Sequence, residues 1–315
     1  MRTLQLGHSR IDVSILCLGI LPFGTKVDRE TSFAVMDAYY EAGGRFIDTA
    51  NNYSKWHANG VGTESETVLG EWMRDRRNRD ELVIATKVGF NRDDIGPSLS
   101  RETIETESAG SLERLQTDRV DLYYAHADIR TDPLEETLEA LDDLVKAGRA
   151  RAIGCSNYRA WRIAEARSLS ERRGWASYCC VQQRHSYLRP RPGAGFGAQT
   201  SSNDDLLDYC REHDDVRMLA YSPLLNGAYT RSDRQIPSQY VGAETEQRLG
   251  ALRRIASEVG ATENQVIYAW MLASAPSVIP LTAPTTMEQL EENLGALSVA
   301  LTDEQVAELD TAGNP

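Results

Sequence analysis

Short apolar runs alternate with longer helical patterns along the whole chain, and this alternation constrains the fold more than any other feature. The runs are Ile15 to Ile20, Arg45 to Asp48, Leu82 to Lys87, Val120 to Ala125, Ala150 to Cys155, Tyr178 to Gln182, Arg217 to Tyr221 and Val278 to Pro280. Strands that are apolar on both faces, each followed by a helix apolar on one face, need a parallel sheet covered by helices. Eight such units predict a closed (β/α)8 TIM barrel. No Gly-x-Gly-x-x-Gly follows the first strand, so an open dinucleotide-binding sheet lacks its phosphate loop. No linker or shift of composition divides the chain, and residues 1–315 are expected to form a single barrel domain.

The helices carry recognisable ends. Asp132, Pro133 and Glu135 read as a capping box with proline at the first helical position. Leu134, Leu138, Leu141 and Val145 then share a face, and Gly148 stops the helix. Similar stripes run through Phe33, Met36 and Tyr40 up to Gly43, and through Ile104, Ser108, Leu112 and Leu115. Two connections exceed the usual length of about two to six residues. They are Ser54 to Gly62 and Arg184 to Asn203, and in a barrel both lie on the rim where substrates enter, as a mobile edge or a substrate lid.

Charge and composition exclude several classes of function. A net charge of −13 argues against nucleic acid as a partner, since a phosphate-binding surface needs clustered cations. No stretch is apolar and long enough to span a membrane, and the start "MRTLQLGHSR" lacks the apolar run of a signal peptide, so a cytoplasmic protein is expected. The five cysteines show no motif spacing; Cys17, Cys155, Cys179 and Cys180 fall in strand-like runs and read as reduced core residues, with no metal site expected.

Asp48, Lys87 and His126 fall at or just past the ends of three consecutive strands. Parallel strands lie about 4.8 Å apart, so these side chains gather within roughly 10 Å on one face, and Tyr53 can fold back over them. Each residue alone has an ordinary explanation: a turn aspartate, a solvated lysine, a histidine in a wall. Together they offer an acid, a base, a phenol and an imidazole in one pocket. An ammonium beside a phenol should bring it nearer working pH, where it exchanges a proton with a carbonyl or alcohol oxygen. Asp48 would keep Lys87 charged and oriented, and His126 would direct a hydrogen bond at the substrate oxygen.

"FIDTANNY", "IATKVG" and "DLYYAHAD" resemble the tetrad motifs of the aldo-keto reductase superfamily. "GTESETVLGEWM" is similar to that family's segment after the tyrosine, "LVKAGRARAIGCSNY" to its fifth-strand signature, and "LGHSRIDVS" to the β-hairpin that closes the bottom of its barrel. The resemblance implies a (β/α)8 barrel that interconverts carbonyls and alcohols by hydride transfer, with NADP(H) as the usual cofactor. It implies catalytic roles for Asp48, Tyr53, Lys87 and His126. It further implies that Ser156, Asn157 and Gln182 hold the nicotinamide carboxamide and that Tyr221 stacks on the nicotinamide ring. Ser222, Leu224 and Gly227 would contact the pyrophosphate and ribose. Gln289, Glu292 and Asn293, in the segment resembling the adenosine-binding helix, would hold the other end of the cofactor. Thr286 and Gln289 read as a second capping box.

One segment departs from the family pattern. Members that prefer NADP(H) carry Lys or Arg near Ala283, Thr285 and Gln289, whereas this chain has no Lys or Arg after Arg254. A dianionic 2′-phosphate without a cation is poorly held, which favours NAD(H) unless Arg231 or Arg234 supplies the charge. Trp56, His57 and Phe90 are candidate substrate walls. The expected partner is therefore a small-molecule carbonyl or alcohol substrate, with a monomer or small homo-oligomer as the assembly. An NAD-linked sugar or secondary-alcohol dehydrogenase and a cofactor-binding regulatory subunit are the alternatives.

Overall fold

The computed structural model of the chain describes residues 1–58, 60–90 and 96–314. Two short strands come first, β1 (Thr3–Gln5) and β2 (Asp12–Ser14), paired antiparallel with Leu4 opposite Val13. Eight strands follow: β3 (Cys17–Gly19), β4 (Phe46–Asp48), β5 (Val83–Val88), β6 (Val120–Ala125), β7 (Ala150–Ser156), β8 (Tyr178–Arg184), β9 (Arg217–Tyr221) and β10 (Val278–Thr282). They are parallel and close into a barrel in chain order, with β10 pairing β3. The expected (β/α)8 architecture is the one observed.

Helices separate the strands. The first five are α1 (Arg29–Glu41), α2 (Glu64–Arg76), α3 (Arg101–Arg114), α4 (Leu134–Lys146) and α5 (Ala160–Arg173). The second five are α6 (Asp204–Glu212), α7 (Thr245–Val259), α8 (Glu263–Ala273), α9 (Met287–Gly295) and α10 (Asp303–Thr311). Their apolar stripes, such as Leu138, Leu141 and Leu144 of α4 and Ile104 of α3, pack with the outward-facing Ile47, Ile84 and Tyr123 in one continuous layer. Each fully buried side chain of this size contributes roughly 1.5–3 kcal/mol relative to exposure.

A second, smaller apolar cluster fills the inside of the barrel. Phe46, Val83, Leu122 and Leu219 meet Leu6, Ile11 and Val13 from the hairpin, so β1 and β2 cork the N-terminal end of the strands. The cork fits tightly at Gly7. Its φ is +52°, and a Cβ there would lie 2.1 Å from the Cys179 carbonyl oxygen, so a side chain is excluded by both conformation and space. The five cysteines are buried and unpaired, Cys17, Cys155, Cys179 and Cys180 in strands as expected and Cys210 in α6.

Neither expected capping box forms. Asp132 does not cap α4; its carboxylate accepts from the Ser98 hydroxyl at 2.9 Å and from the Leu99 N–H, and Pro133 is the residue before the first turn. Thr286 does cap α9, accepting the Gln289 N–H at 3.3 Å. The Gln289 side chain, however, accepts the Thr285 N–H at 2.8 Å, one residue short of closing the box. Complete boxes occur at Thr262–Gln265 and Thr302–Gln305. The competing donors lie on other segments or one residue away, where sequence spacing does not reveal them.

Candidate active site

Strand alternation brings the four ionisable residues together. Asp48 ends β4, in register with Ala85 of β5, and Lys87 sits two residues further along β5 opposite Tyr124. His126 follows the last residue of β6, its N–H held by the Val88 carbonyl at 2.7 Å. Asp48 and Lys87 are wholly buried, and Tyr53 and His126 nearly so.

Lys87 organises the cluster. Its Nζ donates to the Asp48 carboxylate, to the Thr49 carbonyl at 2.6 Å and to the Tyr53 oxygen at 2.7 Å. An ammonium has three protons, so all are committed and the group is locked. The Tyr53 hydroxyl therefore accepts from Lys87 and directs its own proton to Asp48 Oδ1, at a long 3.3 Å. Such a bond is weak and readily exchanged for one to a better-placed oxygen. The His126 ring stands edge-on to Tyr53, with centroids 5.9 Å apart, and edge-on to Phe90 at 4.5 Å.

The electrostatics overturn one expectation. Lys87 does not pull the phenol toward neutral pH: burial, then the Asp48 carboxylate and its hydrogen bond, push Tyr53 well above the ordinary phenol value. Burial likewise lowers Lys87 against the pull of Asp48, and burial and then the Lys87 charge push the His126 imidazole well below its usual value. Desolvation is the largest cause for Tyr53, Lys87 and His126 alike, so the resting phenol is protonated and the imidazole neutral.

The groups expected around a nicotinamide are present but largely engaged with one another. Gln182 Nε2 donates to Asp48 Oδ2 at 2.8 Å, making it a member of the charged cluster. Asn157, in the left-handed region at φ 61°, is a junction. Its Nδ2 donates to the His126 carbonyl at 2.9 Å and to Ser156 Oγ at 3.1 Å, and its Oδ1 accepts from the Tyr221 hydroxyl at 2.6 Å and from the Thr200 N–H at 3.0 Å. Those four bonds use the full capacity of an asparagine side chain. Tyr221 ends β9 half-buried. Beyond it Ser222, Leu225, Asn226 and Gly227 all have positive φ, with Leu224 inside the same turn. Non-glycine residues in this conformation are strained, and such strain collects at ligand-holding turns.

Near β10 the side chains are also partnered. Glu292 accepts from Thr262 Oγ1 at 2.7 Å and Asn264 at 3.3 Å, and Asn293 donates to Thr282. Ala283, Thr285 and Gln289 offer no cation. Arg231 is spent on Asp233 in a two-point pair at 2.9 and 2.6 Å, and Arg234 approaches the same carboxylate at 3.9 Å. Of the candidate walls, Phe90 touches His126, His57 is partly exposed, and Trp56 is 63% exposed on the rim. The second long loop is stitched down rather than loose: Ser202 N–H bonds the Arg184 carbonyl at 2.8 Å and Thr200 joins Asn157. Behind it, a groove of about 850 Å³ lined by Trp270, Arg248 and Phe196 lies outside the tetrad pocket.

Sequence reasoning missed two buried carboxylates behind the cluster. Glu66, fully buried on α2, accepts from Thr86 and from Arg114 Nε at 2.7 Å, and Glu107 of α3 accepts from Asn51 Nδ2 at 2.7 Å. Their signal was the helical period. Glu66 shares a face with Leu69 and Met73, and Glu107 neighbours Ile104 and Ser111, so each puts a charge on an apolar stripe.

The sequence profile of the Aldo/keto reductase family matches residues 15–314. Norsolorinic acid reductase stcV of Emericella nidulans is 32% identical over 320 residues, covering 95% of this chain and 78% of that protein. Uncharacterized oxidoreductase YrpG of Bacillus subtilis is 30% identical, covering 96% of this chain and 93% of that protein. Aldo-keto reductase ausK of Aspergillus calidoustus is 30% identical, covering 96% and 80%. With a closed parallel barrel, a buried Asp-Tyr-Lys-His cluster and a match spanning nearly its whole length, this chain is an oxidoreductase and belongs to the aldo/keto reductase family.

Proposed function

We propose that the enzyme interconverts a carbonyl and an alcohol with a nicotinamide cofactor, Tyr53 acting as the proton donor and acceptor. The observation that carries this reading is the direction of the hydrogen bonds at Tyr53: its oxygen accepts from a lysine with no spare proton, so the phenol's own proton is the one to be given away. A carbonyl oxygen displacing the 3.3 Å contact to Asp48 would receive it. As the proton leaves, the Lys87 ammonium stabilises the phenolate, and Asp48 holds that ammonium in place. Neutral His126 donates one N–H toward the same oxygen and fixes its approach. In the oxidative direction the same phenolate takes the hydroxyl proton back.

The residues present fit the cofactor. Within the strained turn at Ser222–Gly227 the Leu225 and Gly227 N–H groups are spent on the Ser222 and Leu224 carbonyls, so the first turn of α9 would be the readier donor to an anionic linker, and Tyr221 offers a ring face. When bound, the nicotinamide supplies or accepts hydride. Because Asn157 is saturated, Ser156 and the carbonyl oxygen of the Gln182 amide are the better partners for the carboxamide. Among the described residues no free cation is seen beside Ala283, Thr285 and Gln289, and Arg231 is paired to Asp233, which favours NAD(H). A KM for NADH no higher than that for NADPH is expected, and a strong NADPH preference in steady-state assays would overturn the assignment.

The substrate is proposed to be an aromatic or hydroxylated carbonyl compound, matching the aromatic edge of Phe90 and the exposed Trp56. Tyr53→Phe tests the chemistry: kcat should fall about 10²–10⁴-fold while cofactor still binds. Undiminished turnover with bound cofactor would refute it.

A further inference from the structure

Arg184 ends β8 and is the register partner of Tyr221 at the end of β9. Its guanidinium carbon lies 5.6 Å from the centroid of the Tyr221 ring and 4.9 Å from that of Phe196 in the long loop, which places the cation between two aromatic faces. Gln199, from the same loop, accepts from both Nε at 3.1 Å and a terminal nitrogen at 2.6 Å. The Arg184 backbone is pinned as well, its carbonyl accepting from Ser202 N–H at 2.8 Å. The guanidinium is thus held by the loop rather than free to swing away.

Its charge is not cancelled. Among the described residues no carboxylate pairs with Arg184, whereas Lys87 is matched by Asp48, and Arg231 by Asp233. A fixed, uncompensated positive charge therefore sits behind one face of Tyr221, leaving the opposite face for a planar partner. An oxidised nicotinamide ring is a cation and a reduced one is neutral. Packing against Tyr221 treats the two alike, but a charge behind the ring does not, since Coulomb repulsion at this range survives in a partly desolvated site.

We propose that Arg184 discriminates between the redox forms of the cofactor, weakening binding of the oxidised ring relative to the reduced one, so that the reduced form is loaded preferentially and the oxidised form is released more readily. The proposal rests on the reading of Tyr221 as the stacking residue and goes beyond it by giving the site a preferred redox form of the cofactor. No bond is made or broken by Arg184; it is a positioning and electrostatic residue.

The test is equilibrium binding without substrate. Dissociation constants for oxidised and reduced dinucleotide are measured by titration of protein fluorescence for the wild type, Arg184→Met, which keeps the stem and removes the charge, and Arg184→Lys, which keeps the charge. Arg184→Met should tighten the oxidised form relative to the reduced one by about three- to tenfold, an effect expected to shrink as salt rises. Arg184→Lys should leave the ratio near its wild-type value, and Arg184→Gln serves as a second neutral variant if Arg184→Met melts early. Equal changes in both constants, or none, overturn the proposal and leave Arg184 a packing residue. Wild-type protein that binds neither form overturns the functional reading, and this proposal with it.

Discussion

At the bottom of the barrel Phe46, Val83 and Leu122 point inward against the hairpin, and two to four residues further along the same strands Asp48, Lys87 and His126 point the same way. A period of two keeps these residues on one face, so each strand carries an apolar plug at one end and a reactive group at the other. Both ends are equally removed from solvent. They differ in what burial does: at the bottom it stabilises by removing apolar surface from water, and at the top it costs desolvation that only mutual hydrogen bonds offset. The apolar end supplies the rigidity that lets the charged end be held in one arrangement.

That contrast can be broken first at Lys87. Lys87→Met leaves the Asp48 carboxylate buried without its cation, and should cost about 3–5 kcal/mol of unfolding free energy by denaturant titration and abolish measurable turnover. Leu6→Ala at the opposite end should cost a comparable or smaller 2–5 kcal/mol, roughly, yet leave kcat within about twofold of wild type at a temperature where the variant is folded. If Leu6→Ala reduced kcat as severely as Lys87→Met, the two ends would not be separable as scaffold and site.

A smaller effect concerns acid. His185, just past the end of β8, is pushed down to about 4 by burial and then by the Arg248 charge, and His126 is also depressed. An unfolded histidine titrates near 6.5, so between the two values the unfolded chain binds the extra proton and stability rises with pH. The contribution is complete above about pH 6.5 and is lost as pH falls toward 4, up to roughly 3 kcal/mol for His185. Thermal melts from pH 7 to pH 4.5 should show a shallower loss for His185→Gln than for wild type. Identical slopes would place the acid sensitivity elsewhere.

Much of the scaffold was legible because its causes are local. The bounds of β6 and β9 coincide with the apolar runs Val120 to Ala125 and Arg217 to Tyr221, and the strand-end positions of Asp48, Lys87 and His126 follow from counting. What could not be read depends on partners distant in sequence. Gln182 bonds Asp48 across 134 positions, Asp132 leaves its own helix for Ser98, and Asn157 spends its capacity on His126, Tyr221 and Thr200. The direction of the Tyr53 shift is hidden from the sequence for the same reason: spacing shows that a lysine is near, but only the packed structure shows how completely water has been removed.

The corked end has a kinetic corollary. Among the described residues, Gly7 pressed onto the Cys179 carbonyl and Leu6 filling the lower bore close that end, so a molecule seated over Tyr53 arrives and departs through the rim. Two ligands sharing a single doorway must queue, so whichever lies deeper enters first and exits last.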